Sequence, residues 1–200
     1  MTSTEDRIRA AAISLFTEKG ATDVTISELA IKAGVARGTL YRNFESTGTL
    51  FDRVVAEFSD EMHERVTRTF IGIDDAAVRL AIGIRLWVRY AHDNPIMGRF
   101  AVRFALNEQS LRAVMTGPPM RDVSTGIAAG RYPVEASMAP SIASLVIGAT
   151  VSAMWMVLEG HQTWREAGAS TAELILRSLG IEAVEAQSIS TAELPGLSAS

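Results

Sequence analysis

The chain has 200 residues, 19 Lys and Arg against 23 Asp and Glu, a formal net charge of −4, and no cysteine. The missing thiols exclude disulfide bonds, thiolate catalysis and cysteine-ligated metals, and they fit a cytoplasmic protein. An acidic total argues against nonspecific coating of nucleic acid, although it leaves room for a small DNA-binding surface. With 48% hydrophobic and only 6% aromatic residues, the predicted core is largely aliphatic.

The first 50 residues predict three short helices. The first helix is expected to start after Ser3 or Thr4, and its apolar residues at helical spacing stop at Gly20, a natural helix terminator. The second helix opens with a capping box at Thr25-Ile26-Ser27-Glu28 and ends near Ala33-Gly34. A third, short helix follows Val35, runs to about Asn43 and completes the predicted unit.

The remaining chain also predicts helices, because no segment alternates with a period of two. Ser46 can cap a long fourth helix, and Asp74-Asp75 can open a fifth that runs to Asn94-Pro95. Towards the C-terminus we expect three further segments. These are a long helix over Ala139–Trp164, a shorter one over Thr171–Leu179, and a frayed tail from Ser188.

One apolar segment, Ile142–Leu158, raises the alternative of a membrane span. It falls short of the roughly 20 apolar residues that a span needs, and Ser144, Thr150 and Ser152 interrupt it. Charges without an apolar run at Met1–Ala10 also predict no signal peptide. The sequence therefore favours a buried or interface helix and no membrane partner.

The segment Thr25–Phe44 has the properties of a DNA reader. The residues Ala33-Gly34-Val35 form a tight turn between two short helices, at which glycine permits a positive φ. Arg37 opens the second helix beside Gly38, which leaves the backbone bare for close approach. Arginine can bind guanine edges in bidentate fashion, and Tyr and Thr hydroxyls suit phosphate oxygens.

These residues closely resemble the DNA-binding head of the tetracycline-repressor (TetR) family. The similarity runs through Thr25–Ala30, Ala33–Phe44 and Leu50-Phe51, and Ala11–Gly20 matches the family's first helix. The resemblance implies an all-α fold, in which a three-helix helix-turn-helix head sits on a larger helical body that binds ligand and dimerises. It implies double-stranded operator DNA, a small-molecule effector and a second copy of the chain as partners.

The resemblance also implies the DNA-contacting positions. They are Thr25, Arg37, Gly38, Thr39, Tyr41, Arg42, Asn43 and Thr47. Two of them depart from the family's usual residues: Asn43 stands where histidine is common, and Thr47 stands where a lysine normally meets a phosphate. Loss of that charge-assisted contact predicts weaker or less salt-dependent binding.

Aromatic and methionine residues in the body lie on segments that surround an effector cavity in this family. The candidate pocket residues are Met62, Arg85, Trp87, Tyr90, Met97, Phe100, Phe104 and Met120. Such a lining suits an apolar or aromatic molecule, and Arg85 could neutralise an anionic one. Ordinary core packing is the alternative for each apolar residue.

Small residues at four-residue spacing would let another helix approach the long helix closely. With large apolar neighbours and the following helix, they predict a four-helix dimer interface, against the alternative of packing within one subunit. The candidate interface residues are Ser144, Gly148, Val151, Ser152, Trp155, Leu174 and Leu179.

Enzyme motifs are absent from the sequence. His63-Glu64 begins like a zinc-protease helix, but Thr67 occupies the position of the second histidine. We therefore predict no catalytic residue, metal or cofactor, and we expect a repressor with a head over residues 1–48, a body over 49–187 and a tail over 188–200. Two alternatives stay open: a DNA-binding regulator without an effector, and an enzyme or carrier body that kept a vestigial head.

Overall fold

A computed structural model describes residues 3–21 and 23–197, apart from the side chains of Asn43, Gln109 and Pro118. Every regular element in these ranges is helical, which confirms the predicted all-α class. One 3₁₀ turn, Ala136–Met138, precedes the ninth helix. The helices are α1 (Thr4–Lys19), α2 (Ile26–Ala33), α3 (Arg37–Asn43), α4 (Thr47–Arg68), α5 (Ala76–Asp93), α6 (Pro95–Phe104), α7 (Glu108–Thr116), α8 (Pro118–Ala128), α9 (Ala139–Leu158), α10 (Trp164–Ser178) and α11 (Ala183–Thr191).

Local capping determines the start and end of the helices in the head. The Ser3 hydroxyl accepts a hydrogen bond from the Asp6 amide at 3.0 Å, which begins α1. Thr25 and Glu28 form the predicted capping box at the start of α2. Gly34 ends α2 with φ +64°, a left-handed conformation that glycine adopts without a steric penalty.

Two apolar cores stabilise the molecule. The first runs from Phe16 and Leu40 in the head, through Phe58 on α4, to Phe100 on α6, so the head and the adjoining part of the body share one core. The second lies further from the head, where α5, α9, α10 and α11 meet around residues such as Leu176. Helices α5 and α9 contribute residues to both cores, whereas the buried residues of α4 belong to the first.

The end of α9 and the start of α10 differ from the predicted helix boundaries. The predicted long helix ends at Leu158 rather than Trp164, because Gly160 takes a left-handed φ of +76°. Thr163 and Glu166 then form a capping box that starts α10 at Trp164, well before the predicted Thr171. The predicted boundaries of these two helices were therefore wrong.

The predicted fraying from Ser188 is also wrong over the residues that the structure describes. Helix α11 continues to Thr191, and the Ser190 side chain is fully buried. Beyond it, Leu194 and Leu197 pack against the first core, and apolar contact holds this segment to the body. Residues 198–200 of the predicted tail lie outside the described ranges.

One described helix is long and apolar enough to cross a membrane by length and composition. It covers Ala136–Leu158, with a mean hydropathy of 1.9 and 33% of the apolar window buried. The core helix of a soluble protein can pass the same test. Here the helix packs against α5, α6, α8 and α10 within the bundle.

Candidate functional sites: a helix-turn-helix surface and an apolar cavity

The third helix has one face inside the head and one face in solvent. Leu40 is fully buried and Phe44 is nearly so, as the sequence predicts. On the opposite face Arg37 and Arg42 are exposed, and the Tyr41 side chain is 65% exposed. A Cβ atom at Gly38 would meet no atom within 4 Å, so this position is open to an approaching partner.

Ion pairs within the head restrict which cations are available to DNA. Lys19 pairs with Glu28, and Lys32 pairs with Glu18 at 2.8 Å. Among the described residues, Arg37 has no such partner, and its charge is free for a phosphate or a base edge.

The donors of Thr25 are already in use within the head. Its hydroxyl donates to Glu28 Oε2 at 2.8 Å, and its amide donates to the same oxygen at 2.9 Å. Hydrogen bonds from Lys19 and Thr25 lower the pKa of Glu28 to about 2, so this carboxylate stays ionised. A phosphate contact at Thr25 therefore requires the Glu28 side chain to move first.

Helix α4 begins at Thr47, shortly after the end of α3 in the sequence. Ser46 accepts a hydrogen bond from the Thr49 amide at 3.1 Å and so caps the helix, as predicted. Thr47 is its first residue and is half-buried. Thr39 accepts a hydrogen bond from Arg42 at 3.4 Å, whereas the Asn43 side chain lies outside the described residues.

The body contains a partly open cavity of about 170 Å³ between α4, α5, α6, α8 and α9, with α7 at one side. Three of the predicted pocket residues, Trp87, Phe100 and Phe104, line it. Most of the remaining wall is aliphatic or aromatic. It includes Val55, Phe58, Val66, Phe70, Leu80, Ile84, Val114, Val146, Ile147, Val151 and Met154.

Five predicted pocket residues lie elsewhere in the described structure. Met62 is buried in the first core, and the Tyr90 ring packs against Phe58 and beneath the Arg65 guanidinium. Arg85 lies on another face of α5, where it donates to the Ala192 carbonyl oxygen at 2.7 Å.

Met97 packs against the first core, and Met120, on α8, is half-buried away from the cavity wall. Residue type and segment do not determine which face of a helix meets the cavity, and for that reason these five predicted residues lie away from it.

The polar residues of the cavity wall were missed. Ser59, His63 and Thr67 form a stripe at four-residue spacing on α4, a signal that the sequence does contain. The His63 ring lies 6.1 Å from the Trp87 ring between centroids, and burial lowers the pKa of this histidine. The cavity histidine is therefore neutral near pH 7.

A charged pair also contributes to the wall. Arg79 Nη1 lies 3.6 Å from Asp122 Oδ1, and burial raises the pKa of the Asp122 carboxyl. The two residues are 43 positions apart on α5 and α8, and their pairing has no signature in the sequence.

The predicted dimer residues divide between three environments. Ser144, Ser152, Trp155 and Leu174 are exposed on α9 and α10, with Leu174 64% exposed, and a Cβ atom at Gly148 would meet nothing within 4 Å. The Val151 side chain lines the cavity instead.

Leu179 is buried in the second core of its own subunit, so its prediction as an interface residue was wrong. It follows the last turn of α10, where the chain bends inward towards Ile181. Leu145, on α9, is a further exposed apolar side chain of this surface.

A helix-turn-helix with one exposed polar face, on an all-α body, defines a DNA-binding transcriptional regulator. Residues 8–54 match the profile of bacterial regulatory proteins of the tetR family, and residues 74–192 match the tetracyclin repressor-like C-terminal domain. The chain belongs to the TetR family. This family and fold are those of transcription regulators rather than enzymes.

Curated relatives match about half of the chain. The nucleoid occlusion factor SlmA of Vibrio cholerae is 28% identical over 102 residues, which is 51% of this chain and 52% of SlmA. An uncharacterized HTH-type transcriptional regulator of Mycobacterium tuberculosis, Rv1255c, is 32% identical over 92 residues, or 46% of each chain. The chain thus spans about half the length of the curated relatives it matches.

Solved structures match nearly the whole chain. RolR in complex with resorcinol superposes with a TM-score of 0.73 and 25% identity, covering 98% of this chain and 96% of RolR. FadR from Bacillus subtilis in complex with stearoyl-CoA has a TM-score of 0.71 and 18% identity, covering 88% of this chain and 98% of FadR. The second likeness shows the fold alone.

Proposed function

We propose that this protein is a homodimeric repressor that a small apolar or aromatic effector releases from a palindromic operator. One observation carries the proposal: two of the helices that line the apolar cavity, α4 and α6, also contact α1 of the head. Phe104 on α6 lines the cavity and packs on Phe51 of α4, with 4.8 Å between ring centroids. Phe51 in turn packs on Phe16 of α1 at 5.2 Å.

This chain of rings supports a switch. A ligand that fits the cavity in only one arrangement of α4 and α6 would favour the corresponding position of the head. Its differential affinity for the two arrangements, rather than its affinity alone, supplies the free energy of release. The binding of resorcinol by RolR supports an aromatic effector here.

The exposed surfaces of α9 and α10 support a dimer of the four-helix kind. Trp155 and Leu174 would be buried between subunits, and the small residues Gly148 and Ser152 would let the helices approach closely. In such a dimer two copies of α3 would enter successive major grooves about 34 Å apart, which requires a near-palindromic operator. The protein would act in the cytoplasm, where that DNA lies.

Fluorescence anisotropy tests the DNA-binding part of the proposal. The purified protein is titrated onto labelled intergenic DNA from beside its own gene, with random DNA as control, at two salt concentrations. We expect specific binding with two subunits per site and a linear fall of log affinity with log salt. Equal affinity for random DNA, both here and in a genome-wide selection of bound fragments, would contradict it.

A release screen tests the effector. Bound operator is challenged with a panel of aromatic and aliphatic small molecules, and thermal shifts are measured in parallel. We expect at least one compound to raise the melting temperature and to release the DNA. A broad panel without any hit would favour a regulator that works without an effector.

A further inference from the structure

The cavity has two chemically different ends. Val66 Cγ1 lies 3.9 Å from the Cβ position at Gly83, and the ring centroids of Phe58 and Trp87 lie 5.8 Å apart. The later residue of α4 thus meets the earlier residue of α5, so the two helices run in opposite directions. The end nearer the head is therefore aromatic, and it contains Phe58, Trp87, Phe100 and Phe104. Arg79 lies eight residues before Trp87 on α5, about 12 Å further from the head.

The Arg79 guanidinium is held in place at this far end. Its Nε donates to the Ile73 carbonyl oxygen at 2.6 Å, and the guanidinium carbon lies 5.8 Å from the Phe70 ring centroid. Asp74, an exposed carboxylate, is 4.0 Å away. Arg79 therefore presents an oriented donor group to the cavity rather than a mobile charge.

Asp122 has acceptor capacity to spare. Its separation of 3.6 Å from Arg79 exceeds a normal hydrogen bond, and no other described side chain forms an ion pair with it. Burial raises the pKa of this carboxyl and outweighs the opposing influence of Arg79 and Arg121. A ligand group that donates a hydrogen bond would satisfy it.

The charges of the pair select against an ionic ligand. Each ion would meet opposing charges: the attraction of a carboxylate to Arg79 is offset by repulsion from Asp122, and the attraction of an ammonium group to Asp122 is offset by repulsion from Arg79. A neutral hydroxyl can donate one hydrogen bond to the Asp122 carboxylate and accept another from the Arg79 guanidinium.

We propose that Arg79 and Asp122 bind the neutral hydroxyl of an effector whose aromatic ring lies towards Phe58, Phe100 and Trp87. The effector class is thus a phenol or aromatic alcohol, oriented with its hydroxyl away from the DNA-binding head. This inference rests on the proposed function, since it assigns the chemistry of the same cavity.

Isothermal titration calorimetry of the full-length protein tests it with three matched probes. These are 4-propylphenol, its methyl ether 4-propylanisole, and 4-propylbenzoate. We expect the phenol to bind about tenfold tighter than the ether, which lacks the donor, and tighter than the anionic benzoate. Equal affinities for phenol and ether, or no binding of any probe, would overturn the proposal.

Two variants test whether the preference for the phenol over the ether depends on Asp122. In Asp122→Asn we expect the preference for phenol over ether to fall below about threefold, and the benzoate to bind more tightly than to the wild type. A misfolded variant could not gain benzoate affinity. Asp93→Asn is the control, since Asp93 follows Arg79 on α5 but pairs with Arg89 outside the cavity wall, and it should leave all three affinities unchanged. An unaltered phenol preference in Asp122→Asn would overturn the assignment.

The operator experiment separates this inference from the proposed function. If the protein binds its operator and a compound without a hydroxyl releases it as well as the phenol does, the repressor function stands and the hydroxyl site fails. If the protein shows no preference for any DNA, the proposed function fails, whatever the probes show.

Discussion

Arg103 of α6 donates a hydrogen bond from Nη1 to the Thr17 carbonyl oxygen of α1 at 2.7 Å. That carbonyl belongs to the last turn of α1, where backbone acceptors lack partners within the helix and a cation is electrostatically favoured. Phe100 and Phe104, on the same helix as Arg103, line the cavity. Helix α6 thus contacts the head through Arg103 and lines the cavity with Phe100, Ala101 and Phe104.

Removal of this bond should weaken the coupling between cavity and head. In Arg103→Gln we expect operator affinity without ligand to stay within about threefold of wild type, and release by 4-propylphenol to become at least about fivefold less effective. Anisotropy with and without the compound measures both quantities. Arg99→Gln is the matched control, since Arg99 lies on the same helix and pairs with Glu159 instead. Equal behaviour of the two variants would contradict a specific role for Arg103.

Tyr41 should contribute to operator binding without supporting the fold. Because its side chain is 65% exposed, we expect Tyr41→Ala to weaken operator affinity by about 1–3 kcal/mol while the melting temperature stays unchanged. Tyr41→Phe separates the hydroxyl from the ring: a loss in both variants assigns the contact to the hydroxyl. Unchanged affinity in Tyr41→Ala would count against α3 as the reading helix.

Thr47→Lys should restore the phosphate contact that the family usually has at this position. We expect tighter operator binding and a salt slope steeper by about one unit, since one more counterion is released. Ser124→Lys, an exposed position on α8, adds the same charge to the body and controls for net charge. If both lysines steepen the slope equally, Thr47 does not lie at the phosphate backbone.

A charge on the exposed face of α10 should dissociate the dimer. The Leu174 side chain is 64% exposed in the single chain, so Leu174→Glu should fold normally, whereas a buried unpaired carboxylate at an interface is costly. Analytical ultracentrifugation should show a monomer for Leu174→Glu and a dimer for Val184→Glu, whose site is 83% exposed on α11. A dimer in both would place the interface elsewhere.

Acidification should destabilise the protein through His63. Burial holds the pKa of this histidine below its unfolded value of about 6.5, so the folded state binds fewer protons than the unfolded state. The free energy of unfolding is therefore retained above about pH 6.5. It declines as the pH falls below the pKa of the unfolded state, until the pH reaches the lower pKa of the folded state. We expect chemical denaturation at pH 7.5 and 5.5 to show a smaller difference for His63→Gln than for wild type.

His92→Gln, at an exposed site, is the control for this titration. It should keep the full wild-type pH difference. The same difference in His63→Gln would show that other groups cause the acid sensitivity.

The amino-acid sequence alone determined the head. Capping boxes at Ser3 and Thr25, the left-handed Gly34 and the buried pair Leu40 and Phe44 act over four residues or fewer, so a linear pattern contains them. Tertiary structure decided the body. His63 faces the cavity while its neighbour Met62 is buried in the core, a difference of one residue that depends on how α4 is rotated against α5 and α6.

The meeting of Arg79 with Asp122 likewise depends on the packing of two distant helices. Helix periodicity marks an apolar face, but it does not say whether that face meets a core, a cavity or a second subunit. That outcome depends on the contacts of the whole bundle, because burial is a property of the assembled structure rather than of any one segment.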